Sequence, residues 1–175
     1  MRDWFYGIYC RWWFRRRVQS HSSRDFQRLL DTSTDGLPIG VLALGSRLTS
    51  EMDAAWFARQ FHVSKQDVRL LVVDPESIYA DSLSERQVEL HVKNKTQVPE
   101  IEYFKDQQFK YLFHIYPPDF WSLLYVGLNT KAREHIAFWS PDQGPGTFFL
   151  PMQDEVVTES LMNTWRQLEP QIKWN

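Results

Sequence analysis

The chain has 175 residues, 43% hydrophobic and 24% charged, with a formal net charge of -2. That mix excludes a fibrous or wholly disordered protein and leaves enough length to bury a core without covalent staples. A single cysteine, Cys10, excludes an intramolecular disulfide and favours a reducing, cytoplasmic setting.

The charge is unevenly placed. Residues 1–28 hold seven Arg against Asp3 and Asp25, a net of +5, so residues 29–175 carry -7. An acidic body is a poor match for a broad nucleic-acid face, whereas a basic arm suits its own domain, an anionic surface or a second copy in a homodimer. Aromatics reach 15%, and such rings serve both cores and recognition surfaces.

Residues 4–14 are dominated by aromatic and apolar side chains and run into Arg15, Arg16 and Arg17. The stretch is shorter than the roughly 20 apolar residues a membrane span needs, and its positive cluster follows the apolar part, unlike a secretory signal. As a strand it aligns Trp4, Tyr6, Ile8, Cys10, Trp12 and Phe14 on one face, which its β-favouring residues support. As a helix it lines up Asp3, Gly7, Arg11 and Arg15 as a narrow polar stripe beside a broad aromatic face, and Trp12 and Trp13 with Arg15, Arg16 and Arg17 become a docking element for a partner groove or a membrane surface.

Further along, Ser22 or Ser23 caps a predicted helix to about Leu30, and residues 31–36 form a turn-rich linker. Residues 38–44 read as a buried strand, and Thr49 or Ser50 caps a helix over residues 51–61 with Asp53 at the capping-box position. A second apolar strand covers residues 68–73, followed by a short helix or turn over residues 75–86 and a one-sided strand over residues 88–92. Two hairpins are expected next. One joins residues 98–104 to 109–116, the other joins residues 122–128 to 133–139 with its turn at Asn129 and Thr130, although Thr130 to Glu134 could instead open a helix. A short strand at residues 147–150 and an amphipathic helix over residues 154–168 complete the chain, the helix carrying Val157, Leu161, Trp165 and Leu168 on one face. This order predicts a single α+β domain, a mixed or largely antiparallel sheet with helices packed on it.

Three sets of residues could carry function. Residues 40–47 have the glycine spacing of a phosphate loop without its lysine, but a strand, the turn of Gly45, Ser46 and Arg47, and a helix start near Ser50 could still hold an anion. Asp74, Glu89 and His91 could gather around a divalent cation as in a metal-dependent nuclease, although His91 stands where such sites place lysine. Tyr116, Asp119, Phe120 and Trp121 beside a double proline form a candidate protein-binding loop, in which aromatics anchor and a carboxylate steers a basic partner. The histidines are scattered with no zinc spacing, and neither a metal nor a cofactor is predicted.

With no coherent catalytic set, the leading expectation is a non-enzymatic macromolecule-binding protein, of the inhibitor or immunity type, that neutralises a basic partner. The alternatives are a phosphate-substrate enzyme and a peripheral membrane protein docked through residues 1–17.

Overall fold

In the computed structural model, the described residues are 12, 15, 16, 18, 19, 26–29, 36–73, 99–150, 157 and 159–171. The apolar run after Pro38 becomes β2 (Ile39–Leu44), with all six residues buried. On one side it pairs with β3 (Val68–Val73) over its whole length, and on the other with β4 (Gln108–Ile115). β5 (Lys131–Ala137) lies outside β4. Two short strands share the far edge of β5: β1 (Gln27–Arg28) beside Lys131 and Ala132, and β6 (Phe148–Phe149) beside Ile136 and Ala137. The order is β1-β5-β4-β2-β3, and every pairing is parallel.

The expected mixed or largely antiparallel sheet is therefore wrong. Both hairpins turn out to be helix–strand units: α2 (Pro99–Lys105) precedes β4, and α3 (Trp121–Leu128) precedes β5. Parallel neighbours need a crossover, and these helices supply it. In α3 six of eight residues are buried, among them Leu123, Leu124, Val126 and Leu128. A helix enclosed on nearly all sides shows no polar stripe, so its short apolar run reads like a strand.

The sheet is covered on both faces, as parallel sheets require. α1 (Ala54–Phe61) and α4 (Glu159–Leu168) pack with Ile39, Val41, Phe113 and Ile136. On the opposite face, α2 and α3 pack with Leu42, Leu44 and Leu112. Successive residues of β2 thus feed the two cores alternately.

Local signals explain the helix ends. Asp53 itself caps α1, its Oδ1 accepting from the Trp56 amide at 2.8 Å, so the helix begins later than the Thr49 or Ser50 cap predicts. That bond holds the Asp53 carboxyl below its ordinary value. His62 ends the helix with φ of 54°, a left-handed position usually given to Gly or Asn. Val157 lies outside helical structure, so the C-terminal helix is the shorter α4 and does not begin at residue 154 as expected; Met162 and Trp165 are buried inward. Residues 26–29, expected to end a helix, run extended with β1, because their backbone pairs with β5. Trp12, Arg15, Arg16, Val18 and Gln19 have helical backbone, against the strand alternative for this part of the arm. The strand expected at residues 88–92 and the helix or turn at 75–86 lie outside the described residues.

From β2 the chain moves outward to β3, then returns to the other side of β2 to lay down β4 and β5. Strand order therefore reverses between β2 and β4. In open α/β sheets, the crevice outside the carboxyl ends of two such strands is where ligands bind.

Candidate functional site

Ala43 pairs with Ile115, so the segments leaving β2 and β4 start side by side. After β2 comes a single 3-10 turn, Gly45–Arg47, closed by the Leu48 amide donating to the Gly45 carbonyl at 3.0 Å. The Arg47 carbonyl accepts from the Val157 amide at 3.0 Å, which ties this turn to the segment that leads into α4. After β4 comes the loop of residues 116–121, tightened by the Phe120 amide donating to the Pro117 carbonyl at 2.9 Å. In it Tyr116 is buried, Asp119 is exposed, and Phe120 and Trp121 are half-buried against the α2/α3 core.

The loop after β5 lies against this segment. Trp139 Nε1 donates to the Pro145 carbonyl at 3.1 Å, and a Cβ on Gly144 would stand 3.2 Å from Pro118 Cβ. Glycine at 144 lets the two loops approach. The basic arm reaches the same edge: the Arg15 guanidinium sits 5.7 Å from the Trp121 ring centroid, in cation–π range. Trp12 is 50% exposed, with Arg16 above its ring at 5.3 Å.

Residues singled out in three separate stretches thus gather at one edge: Arg15 with Trp121, Tyr116 and Asp119 in the same loop, and Gly45, Ser46 and Arg47 at the end of the neighbouring strand. Trp13, Arg17, Asp74, Glu89 and His91 lie outside the described residues. Three described loops on this edge also offer an exposed carboxylate: Glu51 after β2, Asp119 after β4 and Asp142 after β5. The anion-binding geometry fares differently. Ser50 lies ahead of α1, and the carboxylate of Asp53 takes the helix amide that an anion would use. Among the described residues, no group of three or more His, Cys, Asp or Glu could hold a metal ion.

Sequence reasoning missed the most organised polar feature. His114 on β4 and His135 on β5 point to the same face, and parallel pairing brings their rings to 5.2 Å. His114 Nδ1 lies 2.7 Å from the Tyr116 hydroxyl, His114 Nε2 lies 3.0 Å from His135 Nδ1, and His135 Nε2 lies 3.1 Å from the Gln27 carbonyl oxygen on β1. Phe26 stacks on both imidazoles, at 4.2 Å and 4.4 Å. Both histidines are fully buried and Tyr116 nearly so.

One backbone atom sets the protons of the whole chain. The Gln27 carbonyl only accepts, so His135 Nε2 carries hydrogen, and in a neutral ring its Nδ1 accepts. His114 Nε2 must then donate to it, which leaves His114 Nδ1 to accept from the Tyr116 hydroxyl. Burial keeps every member uncharged. It pushes His114 well below its ordinary value, with repulsion from His135 adding to the effect, and it lowers His135 to about 4, with the Arg28 charge acting in the same direction. Tyr116 is raised by burial. The sequence does hold a partial signal. Tyr116 follows His114 at the two-residue spacing that shares a strand face, but the partner 21 residues away becomes visible only once β4 and β5 are paired.

The opposite, amino edge of the sheet holds a cleft of about 290 Å³ lined by Leu37, Phe61, Lys110, Tyr111, Trp165 and Glu169. Burial, together with a hydrogen bond to Glu169, raises the Tyr111 hydroxyl above its usual range.

No family model, curated protein or solved structure matches this chain.

Proposed function

We propose that the chain is a non-enzymatic binding protein whose recognition surface is the carboxyl edge of the sheet between β2 and β4. The observation that supports this most directly is the reversal of strand order there, which sets the Gly45–Arg47 turn beside the loop of residues 116–121. Trp121 and Phe120 supply apolar contact area, and Glu51, Asp119 and Asp142 supply negative charge around them. That chemistry suits a protein partner with a basic face, which the carboxylates steer and the aromatics anchor. The histidines do not compete with this reading, because a fully buried imidazole cannot reach a substrate.

Membrane attachment by the arm is the weaker reading. The Arg15 side chain is engaged with Trp121, and among the described residues no helix is long and apolar enough to cross a membrane.

The test is affinity capture from the source cell with three baits: the native chain, the triple variant E51K/D119K/D142K, and K65E/K131E at the opposite edge. The reading expects a stoichiometric protein partner that is lost with the carboxyl-edge variant and retained with the other. A partner kept by E51K/D119K/D142K, or no stoichiometric partner with the native bait, overturns it.

A further inference from the structure

We infer that the Tyr116–His114–His135 chain is an acid-sensitive latch that holds β1 on the edge of β5 while its imidazoles are neutral and releases it when they take up protons. The inference stands whichever partner the carboxyl edge binds. β1, like β6, is only two residues long, in register against Lys131 and Ala132. The Leu29 amide donates to the Ala132 carbonyl at 3.0 Å, Arg28 Nε donates to the Arg133 carbonyl at 3.3 Å, and Arg28 Nη2 pairs with Glu134 at 2.6 Å. The latch adds Phe26, stacked over both rings, and the Gln27 carbonyl, which closes the hydrogen-bond chain.

Phe26 is therefore the cover over the imidazoles on the β1 side. An imidazolium under that cover is desolvated, whereas the same ion is hydrated once β1 lifts away. Among the described residues the Gln27 carbonyl, accepting from His135 Nε2, favours the charged ring, but burial outweighs it. β1 contributes Arg28, a cation, whose Glu134 partner is already bound to it. β4 contributes Tyr116, held neutral by its burial. α3 meets the rings through Gly127, where a Cβ would stand 2.7 Å from His114 Cε1, and has no charged side chain. The exit of β5 contributes Trp139, its ring 5.8 Å from that of His114. Among the described residues, no carboxylate is hydrogen-bonded to either imidazole.

Proton uptake and strand release are therefore linked. Each proton bound only in the open state raises the opening equilibrium up to tenfold per pH unit below the ordinary histidine value of about 6.5. Short edge elements open locally well before a central strand does. β2, buried along its whole length between β3 and β4, is the internal reference.

The experiment is hydrogen exchange on the full chain between pH 7 and pH 4.5, corrected for intrinsic exchange chemistry, comparing the Leu29 amide with amides of β2. The latch expects protection at Leu29 to fall by at least tenfold between pH 6.5 and 5 while β2 stays protected. In H135Q the glutamine amide can donate to the Gln27 carbonyl and its oxygen can accept from His114, without titrating, so the fall should become markedly shallower. Loss of Leu29 and β2 protection in parallel overturns the inference, as does a pH-independent Leu29 or an unchanged response in H135Q. If H135Q does not fold, imidazole nitrogen shifts of the native chain decide. Both rings must be neutral Nε2–H tautomers at pH 7 and must protonate over the pH range in which Leu29 opens. Protonation with β1 still docked overturns the latch.

Discussion

The two faces of the sheet are built on different principles. Under α1 and α4 the core is held by ring packing: Phe113 stacks on Phe61 at 4.7 Å and meets Trp165 edge-on at 5.3 Å, while Tyr111 and Phe148 each meet Trp165 edge-on. Under α3 the core contains two imidazoles and a phenol joined in one hydrogen-bonded line. The first face rests mainly on shape and apolar area, with the Tyr111 hydroxyl hydrogen-bonded to Glu169 at its margin. The second needs every donor matched to an acceptor, because an orphaned buried polar group costs roughly 1 to 3 kcal/mol. It therefore fixes one arrangement of β1, β4, β5 and α3, and it does so only while the rings are neutral.

Substitutions should bring out this contrast. The largest effect belongs to the ring-packed face, where Phe113→Ala removes a fully buried ring and leaves a cavity, costing about 3 to 5 kcal/mol by chemical denaturation at any pH at which the protein folds. A cost that changed strongly with pH would blur the distinction between the faces.

Next comes acid itself. His135 falls from an ordinary value of 6.5 to about 4 in the folded state, so the unfolded chain binds its proton first as pH drops. Stability from this group is fully present above about pH 6.5 and is lost progressively as pH falls toward about 4. At about 1.4 kcal/mol per unit the loss is about 3 kcal/mol. Denaturant midpoints between pH 7 and 4 measure it, and H135Q should flatten the curve.

Gly127→Ala probes the same face by shape. Its Cβ would stand 2.7 Å from His114 Cε1 and 2.9 Å from the Tyr116 hydroxyl, so overpacking should cost about 1 to 3 kcal/mol and steepen the acid response. The smallest effect lies outside both cores. Asp53→Ala removes the cap of α1 and should lower the denaturation midpoint slightly near neutral pH. Because the folded-state carboxyl is lowered, that contribution is present above its unfolded value and fades as pH drops through the folded one, which a denaturation series of both proteins would show.

Much of the element list was legible in the residues. The runs at β2 and β3 are apolar and strand-length, and α1 and α4 show a polar face, so their patterns allow one interpretation. α3 offered no such contrast because almost all of it is enclosed. Reading it and α2 as strands turned two crossovers into hairpins and a parallel sheet into a mixed or largely antiparallel one. The candidate site divides in the same way. Tyr116, Asp119 and Trp121 stood out by type, but that Arg15 would lie over Trp121 depended on how the arm packs. The latch was invisible, since His114, His135 and Gln27 meet only across three strands.

The sequence by itself determined the apolar runs, the charged arm on an acidic body and the residue types available for recognition, because these depend on local composition and period. Tertiary structure alone decided the direction of the strands, the switch between β2 and β4, and the proton order in the buried chain. Those depend on which distant segments become neighbours and on which atoms are left for a buried donor to find.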